Sequence, residues 1–180
     1  VQQSLLANFL FDEDEHDTGS IKSTSPPVDG QHGAAAKLSP VDKSRIIGPC
    51  TTGAGASCLK SVTNPAQNAQ YAYDYGAVDF VDDVAISSWI YGRCTNGAGS
   101  DVRKMAVAYF SGENGGMKHV LRLYLRRKSS TMMNLVLDYT QNGAVKYTLS
   151  IANVRCNSWQ YVGFSLNKLD GMVLFANPTG

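Results

Sequence analysis

From Asp79 to Val173 the chain alternates between apolar and polar or small residues, and this restricts it more than any other feature. In AISSWI, Ala85, Ser87 and Trp89 fall on one side of an extended chain and Ile86, Ser88 and Ile90 on the other. In SWQYVGFSL, Trp159 and Tyr161 share one side, while Val162, Phe164 and Leu166 share the opposite one. A period of two is the signature of a β-strand, and β-branched and aromatic enrichment supports it. The same signal marks Ala85–Tyr91, Lys104–Phe110, His119–Arg126, Asn134–Tyr139, Ala144–Ile151, Trp159–Leu166 and Met172–Phe175. Turn residues punctuate these segments at Asn96-Gly97, Glu113-Asn114-Gly115-Gly116, Asn142-Gly143 and Asp170-Gly171. Asn-Gly and Asp-Gly favour the positive φ angles of two-residue hairpins. Short strands at about 8–12-residue spacing, without helical periodicity, predict an all-β antiparallel sandwich. Large aromatics dominate sandwich cores, so Trp89 and Trp159 are expected inside, with sugar stacking as the alternative.

The first part of the chain reads differently. Ser4–Phe11 carries the pattern of a strand, but residues 12–43 lose periodicity and are rich in Ser, Pro, Gly and Ala. This predicts a long surface loop, of the kind that in compact domains is functional or mobile. Arg45–Ile47, Leu59–Val62 and Ala69–Tyr75 are further strand candidates. The glycine-rich segment between Cys50 and Cys58 is not read as a phosphate loop, because it lacks the Gly-Lys-Ser/Thr ending and no helical pattern follows it.

A chain of 180 residues suits a single domain with a substantial core. Its formal net charge of +1 gives no global attraction to nucleic acid or acidic membranes, so neither is an expected partner. No apolar run approaches the roughly 20 residues of a membrane-spanning helix, so no membrane insertion is expected. The sequence starts at Val1 without a methionine and reads as processed or trimmed. Its four cysteines are Cys50, Cys58, Cys94 and Cys156; no Cys-x-x-Cys spacing or histidine cluster accompanies them, which argues against zinc. Two disulfides are expected. Cys50 and Cys58 bracket a flexible loop, and Cys94 and Cys156 flank the two tryptophan strands. Four buried thiols are the alternative. Asn177-Pro-Thr is not a glycosylation sequon because of its proline.

The order ISSW, NSWQYVGFSL and DGMVLFANPTG resembles the laminin-G-like, concanavalin A-like jelly-roll family of the lectin and glucanase superfamily. Phe80, Ile86, Trp89, Trp159, Tyr161, Val162, Val173, Phe175, Asn177 and Gly180 fall on its pattern. LLANFLFDEDE is similar to the family's first strand, with Phe9, Phe11 and Asp12 in place. The resemblance implies a two-sheet antiparallel jelly-roll sandwich over residues 1–180, in a secreted, extracellular adhesion or recognition protein. The family pattern continues for three or four strands beyond the final hairpin. The expectation is therefore a jelly roll incomplete at its C-terminus, extended by further chain, completed by a neighbouring subunit's strand, or covered by Ser4–Phe11 and the loop after it.

Two groups of residues could carry chemistry. The acidic run Asp12-Glu13-Asp14-Glu15-His16-Asp17 places Glu13, Glu15 and Asp17 on one side of an extended chain. Paired carboxylates on a strand serve glycosidases. Here, however, the intervening Asp14 and His16 are polar where a buried sheet needs apolar residues, and a Thr-Gly-Ser loop follows. A calcium site on Asp12, Asp14 and Asp17 suits this run better, since hard cations take oxygens from flexible loops; the resembled family often holds calcium at the sandwich rim. A solvated acidic loop is the plain alternative. The second group is basic. In KHVLRLYLRRK, Leu121, Leu123 and Leu125 alternate to one face, and Lys118, Arg122, Tyr124, Arg126 and Lys128 to the other. Such a stripe can grip sulfate or carboxylate groups, and laminin-G-like domains bind glycosaminoglycans through comparable patches. Its alternative is a solvated face whose charge discourages edge pairing. His16, His32 and His119 are scattered, and no nucleophile–base arrangement accompanies them.

The expected function is non-enzymatic extracellular recognition, adhesion or assembly, with a protein or an anionic glycan as partner and calcium as the one candidate cofactor. Two other readings are a self-assembling structural subunit of an extracellular polymer, completed by strands of neighbouring chains, and, from a different class, a carbohydrate-active enzyme.

Overall fold

A computed structural model of the chain describes residues 21–22, 37–40, 47–49, 57–59, 71–72, 84–92, 94, 104–167 and 171–177. The chain divides into two compact units, Val1–Val78 and Asp79–Gly180. The expected Ser4–Phe11 strand, the Asp12, Asp14 and Asp17 cluster and Cys50 lie outside the described residues.

In the first unit the described residues form short antiparallel strands: β1 (Ile21–Lys22), β2 (Lys37–Pro40), β3 (Ile47–Pro49), β4 (Ser57–Leu59) and β5 (Tyr71–Ala72). β2 pairs with both β1 and β5, and β3 pairs with β4, which sets Cys58 opposite Gly48. The first two strands fall inside residues 12–43, where a long irregular loop is expected, and the rest of that stretch lies outside the described residues. Strands of two and four residues are too short for alternation to show in a sequence.

The second unit holds two antiparallel sheets. β6 (Val84–Tyr91) opens it. β7 (Lys104–Asn114), β8 (Met117–Arg127), β9 (Met132–Gln141) and β10 (Ala144–Arg155) then run as a meander, and β11 (Trp159–Asn167) and β12 (Gly171–Ala176) close it. The meander forms a four-stranded sheet in the order β10-β9-β8-β7, and the other sheet has the order β12-β11-β6. The chain thus leaves the smaller sheet after β6, builds the larger one, and returns to place β11 beside β6. Asn142 and Gly143, at φ 49° and 81°, make the tight β9–β10 turn, and Gly115 and Gly116, at 57° and 75°, make the β7–β8 turn. Positive φ at both central positions matches the twist of the strands that such turns join.

The core lies between these sheets. From the four-stranded sheet it takes Leu123, Leu125, Met133, Leu135, Leu137 and Val154; from the smaller one it takes Val162 and Phe164. Ile86, Ile90, Met172 and Leu174 border it, and the Phe110 and Phe164 rings meet edge to face, their centroids 5.9 Å apart. Cys94, just after β6, is bonded to Cys156, just after β10, with a Cα–Cα distance of 5.6 Å. This disulfide joins the edge of one sheet to the edge of the other. The backbone N–H of Asn157 donates to the Gly92 carbonyl at 2.8 Å in the same corner.

Candidate functional site

The outer face of the β6-β11-β12 sheet is an aromatic surface. Register places Tyr91 beside Trp159, Trp89 beside Tyr161, Ser87 beside Gly163, and Ala85 beside Ser165. β12 adds Phe175 opposite Gly163 and Val173 opposite Ser165. The ring centroids of Tyr91 and Trp159 are 5.6 Å apart, those of Trp89 and Tyr161 5.4 Å, and those of Tyr161 and Phe175 6.1 Å. Trp89 is 57% exposed and Val173 41%. The described residues of this face carry no formal charge.

This placement corrects the expectation that both tryptophans lie in the core. The alternation separates the two faces as predicted, but Ile86, Ile90, Val162 and Phe164 take the interior. Trp89 is exposed and Trp159 is half-buried. Both faces of β11 are apolar, and burial went to the face with the aliphatic and phenyl groups that fit the opposing leucines.

Gly163 shapes the surface. A Cβ there would overlap the Ile86 carbonyl oxygen and the Phe175 ring. Its absence lets Phe175 lie across β11 beside Tyr161. The Tyr161 hydroxyl donates to the Ser87 Oγ at 2.6 Å, and Ser87 keeps its own hydroxyl proton as a donor.

The predicted basic stripe is partly assembled. Lys118, Arg122, Arg126 and Lys128 are exposed, while Leu123 and Leu125 are buried and Leu121 is half-buried. Arg122 lies over the exposed Tyr109 ring, 5.8 Å from its centroid. Lys128 Nζ donates to Asn153 Oδ1 at 3.1 Å. Tyr124 departs from the expectation. It is 8% exposed, and its hydroxyl donates to Asp138 Oδ2 at 2.9 Å. The Thr148 hydroxyl donates to the other carboxylate oxygen of Asp138 at 2.7 Å. Burial, and then the hydrogen bond to Asp138 and its charge, raise the Tyr124 pKa against a smaller opposing effect of Arg126. Tyr124 therefore interrupts the stripe between Arg122 and Arg126.

Sequence patterning alone does not single out Asp138. The available signal was one acidic residue inside the otherwise uncharged strand MMNLVLDYTQ. A buried carboxylate needs donors, and Tyr124 and Thr148 come from the strands on either side. A second aromatic group, His119, Tyr139 and Tyr147, stacks on the four-stranded sheet, with His119 Nδ1 2.7 Å from the Tyr139 hydroxyl.

Among the described residues no helix is long and apolar enough to cross a membrane. Compared with family models, with curated proteins and with solved structures, the chain matches none.

Proposed function

We propose that this chain is a non-enzymatic extracellular recognition module that binds its ligand on the outer face of the β6-β11-β12 sheet. The exposure of Trp89 within a contiguous group of rings carries this reading. Contiguous exposed apolar surface marks interaction sites, and Trp and Tyr supply much of the binding energy where they occur. The Cys94–Cys156 disulfide supports an oxidising compartment. The resemblance to laminin-G-like sandwiches points to the same class of role, with protein or glycan partners.

Arg122 over Tyr109, with Arg126 farther along the same strand, supports a second reading, an anionic-glycan site on the four-stranded sheet. Calcium at Asp12, Asp14 and Asp17, assembly through donated strands, and the jelly-roll topology belong to the proposal on the strength of the resemblance alone.

A glycan array and a panel of extracellular matrix proteins, probed with and without calcium, test the reading. The expected result is binding that Trp89→Ala abolishes. Binding lost instead in Arg122→Ala/Arg126→Ala moves the site to the basic stripe. Absence of binding on both panels contradicts a recognition role.

A further inference from the structure

We infer that the aromatic face takes an uncharged polysaccharide, bound as a single free chain. This rests on the reading of that face as the recognition surface and names its ligand. Three observations carry it.

The first is chemical. Tyr91, Trp159, Trp89, Tyr161 and Phe175 present ring faces and edges, and the groups between them are the Ser87, Ser165 and tyrosine hydroxyls. No formal charge interrupts this face among the described residues. Sugars present apolar C–H faces flanked by hydroxyls, so an indole can cover the C–H face while nearby hydroxyls exchange hydrogen bonds with the rim. A sulfated or carboxylated chain would lose hydration here without a cation to replace it.

The second is size. Three strands at about 4.8 Å spacing, followed over positions 85–91, make a face of roughly 300 Å². A stable protein interface buries about 800 Å² per partner. The face is too small to hold a second copy of this chain by itself, and it is long enough for several sugar units in a row.

The third is the tilt of the rings. Trp89 and Tyr161 meet at 50°, Tyr91 and Trp159 at 63°, and Tyr161 and Phe175 at 38°. A flat crystalline polysaccharide surface needs coplanar rings to touch all of them at once. Rings that turn from one to the next follow a twisted, solvated chain. Their order also follows the strand direction, from Tyr91 and Trp159 through Trp89 and Tyr161 to Phe175.

Affinity electrophoresis of the full chain through gels containing hydroxyethylcellulose, soluble β-1,3-glucan or glycol chitin tests this, with heparin as the charged comparison. The expected result is retardation by at least one neutral polymer. Trp89→Ala should weaken it about 30-fold, the loss typical of truncating a dominant interface tryptophan. Tyr161→Ala should weaken it in the same direction, and Arg122→Ala/Arg126→Ala should leave it unchanged. Circular dichroism of each variant establishes that the fold is kept. Retardation by none of the three polymers, or equal retardation of wild type and Trp89→Ala, overturns the inference. If the neutral polymers fail while a protein ligand is lost in Trp89→Ala, the recognition reading stands and only the ligand class falls. If Trp89→Ala changes binding to no ligand of any kind, both fall.

Discussion

At Asp138 a single carboxylate holds three strands together. Its oxygens accept hydroxyl protons from Tyr124 of β8 and Thr148 of β10, and it is 8% exposed. Hydrogen bonds to a charged group are worth about 1.5–3 kcal/mol each. Tyr124→Phe should therefore destabilise the second unit by about that amount, read as a lower urea midpoint with an unchanged slope. The pKa of Tyr124 adds a pH signature. The folded state holds the phenolic proton more tightly than the unfolded chain, whose tyrosines ionise near pH 10. The stabilisation is complete below about pH 10 and is lost as pH rises through the raised value. The wild-type midpoint should fall in that alkaline range, and Tyr124→Phe should lack this contribution to the fall. Gly163 is the other residue whose identity is fixed by contact. Gly163→Ala forces its Cβ onto the Ile86 carbonyl and the Phe175 ring, and overpacking of this kind costs about 1–3 kcal/mol.

The elements show which signals a sequence carries and which it does not. All seven strands of the second unit begin within two residues of their sequence-predicted starts, and β7, β10 and β11 begin at the predicted residue, because alternation and Asn-Gly turn chemistry are local. The Cys94–Cys156 pairing was legible for a similar reason: each cysteine sits next to a strand that the other's strand must approach. The direction of each face was not legible. Trp159 and Tyr161 oppose Val162 and Phe164 on one strand, and either pair could have been interior. The choice depends on the leucine face of β8 and β9, dozens of residues away in sequence. The burial of Tyr124 is not legible for the same reason, since its partner Asp138 lies on another strand. Stability separates the two possibilities. Phe164→Ala, at a position 1% exposed, should cost about 3–5 kcal/mol. Trp89→Ala should cost only about 0.5–1.5 kcal/mol, the worth of its ring contact with Tyr161. Chemical denaturation of both variants reads the difference.

Across the second unit, two sheets share one core and are joined at a corner by the Cys94–Cys156 bond. That bond closes a loop with a sequence separation of 62 residues. On the chain-entropy model such a loop is worth about 4 kcal/mol, so Cys94→Ala/Cys156→Ala should lower the unfolding free energy by about that much. Thermal scans under reducing and non-reducing conditions check it, and the variant should be insensitive to the reductant at this corner. With the core between the sheets, the aromatic face is left on the outside, and the proposed function depends on that outward orientation. Trp159→Phe leaves Trp89 as the sole tryptophan of the chain, which makes its environment readable by fluorescence. The folded variant should emit at the long wavelength of a hydrated indole and be quenched readily by acrylamide, with little further change on unfolding. A short-wavelength emission shielded from acrylamide until the chain unfolds would place Trp89 in the core and contradict the account.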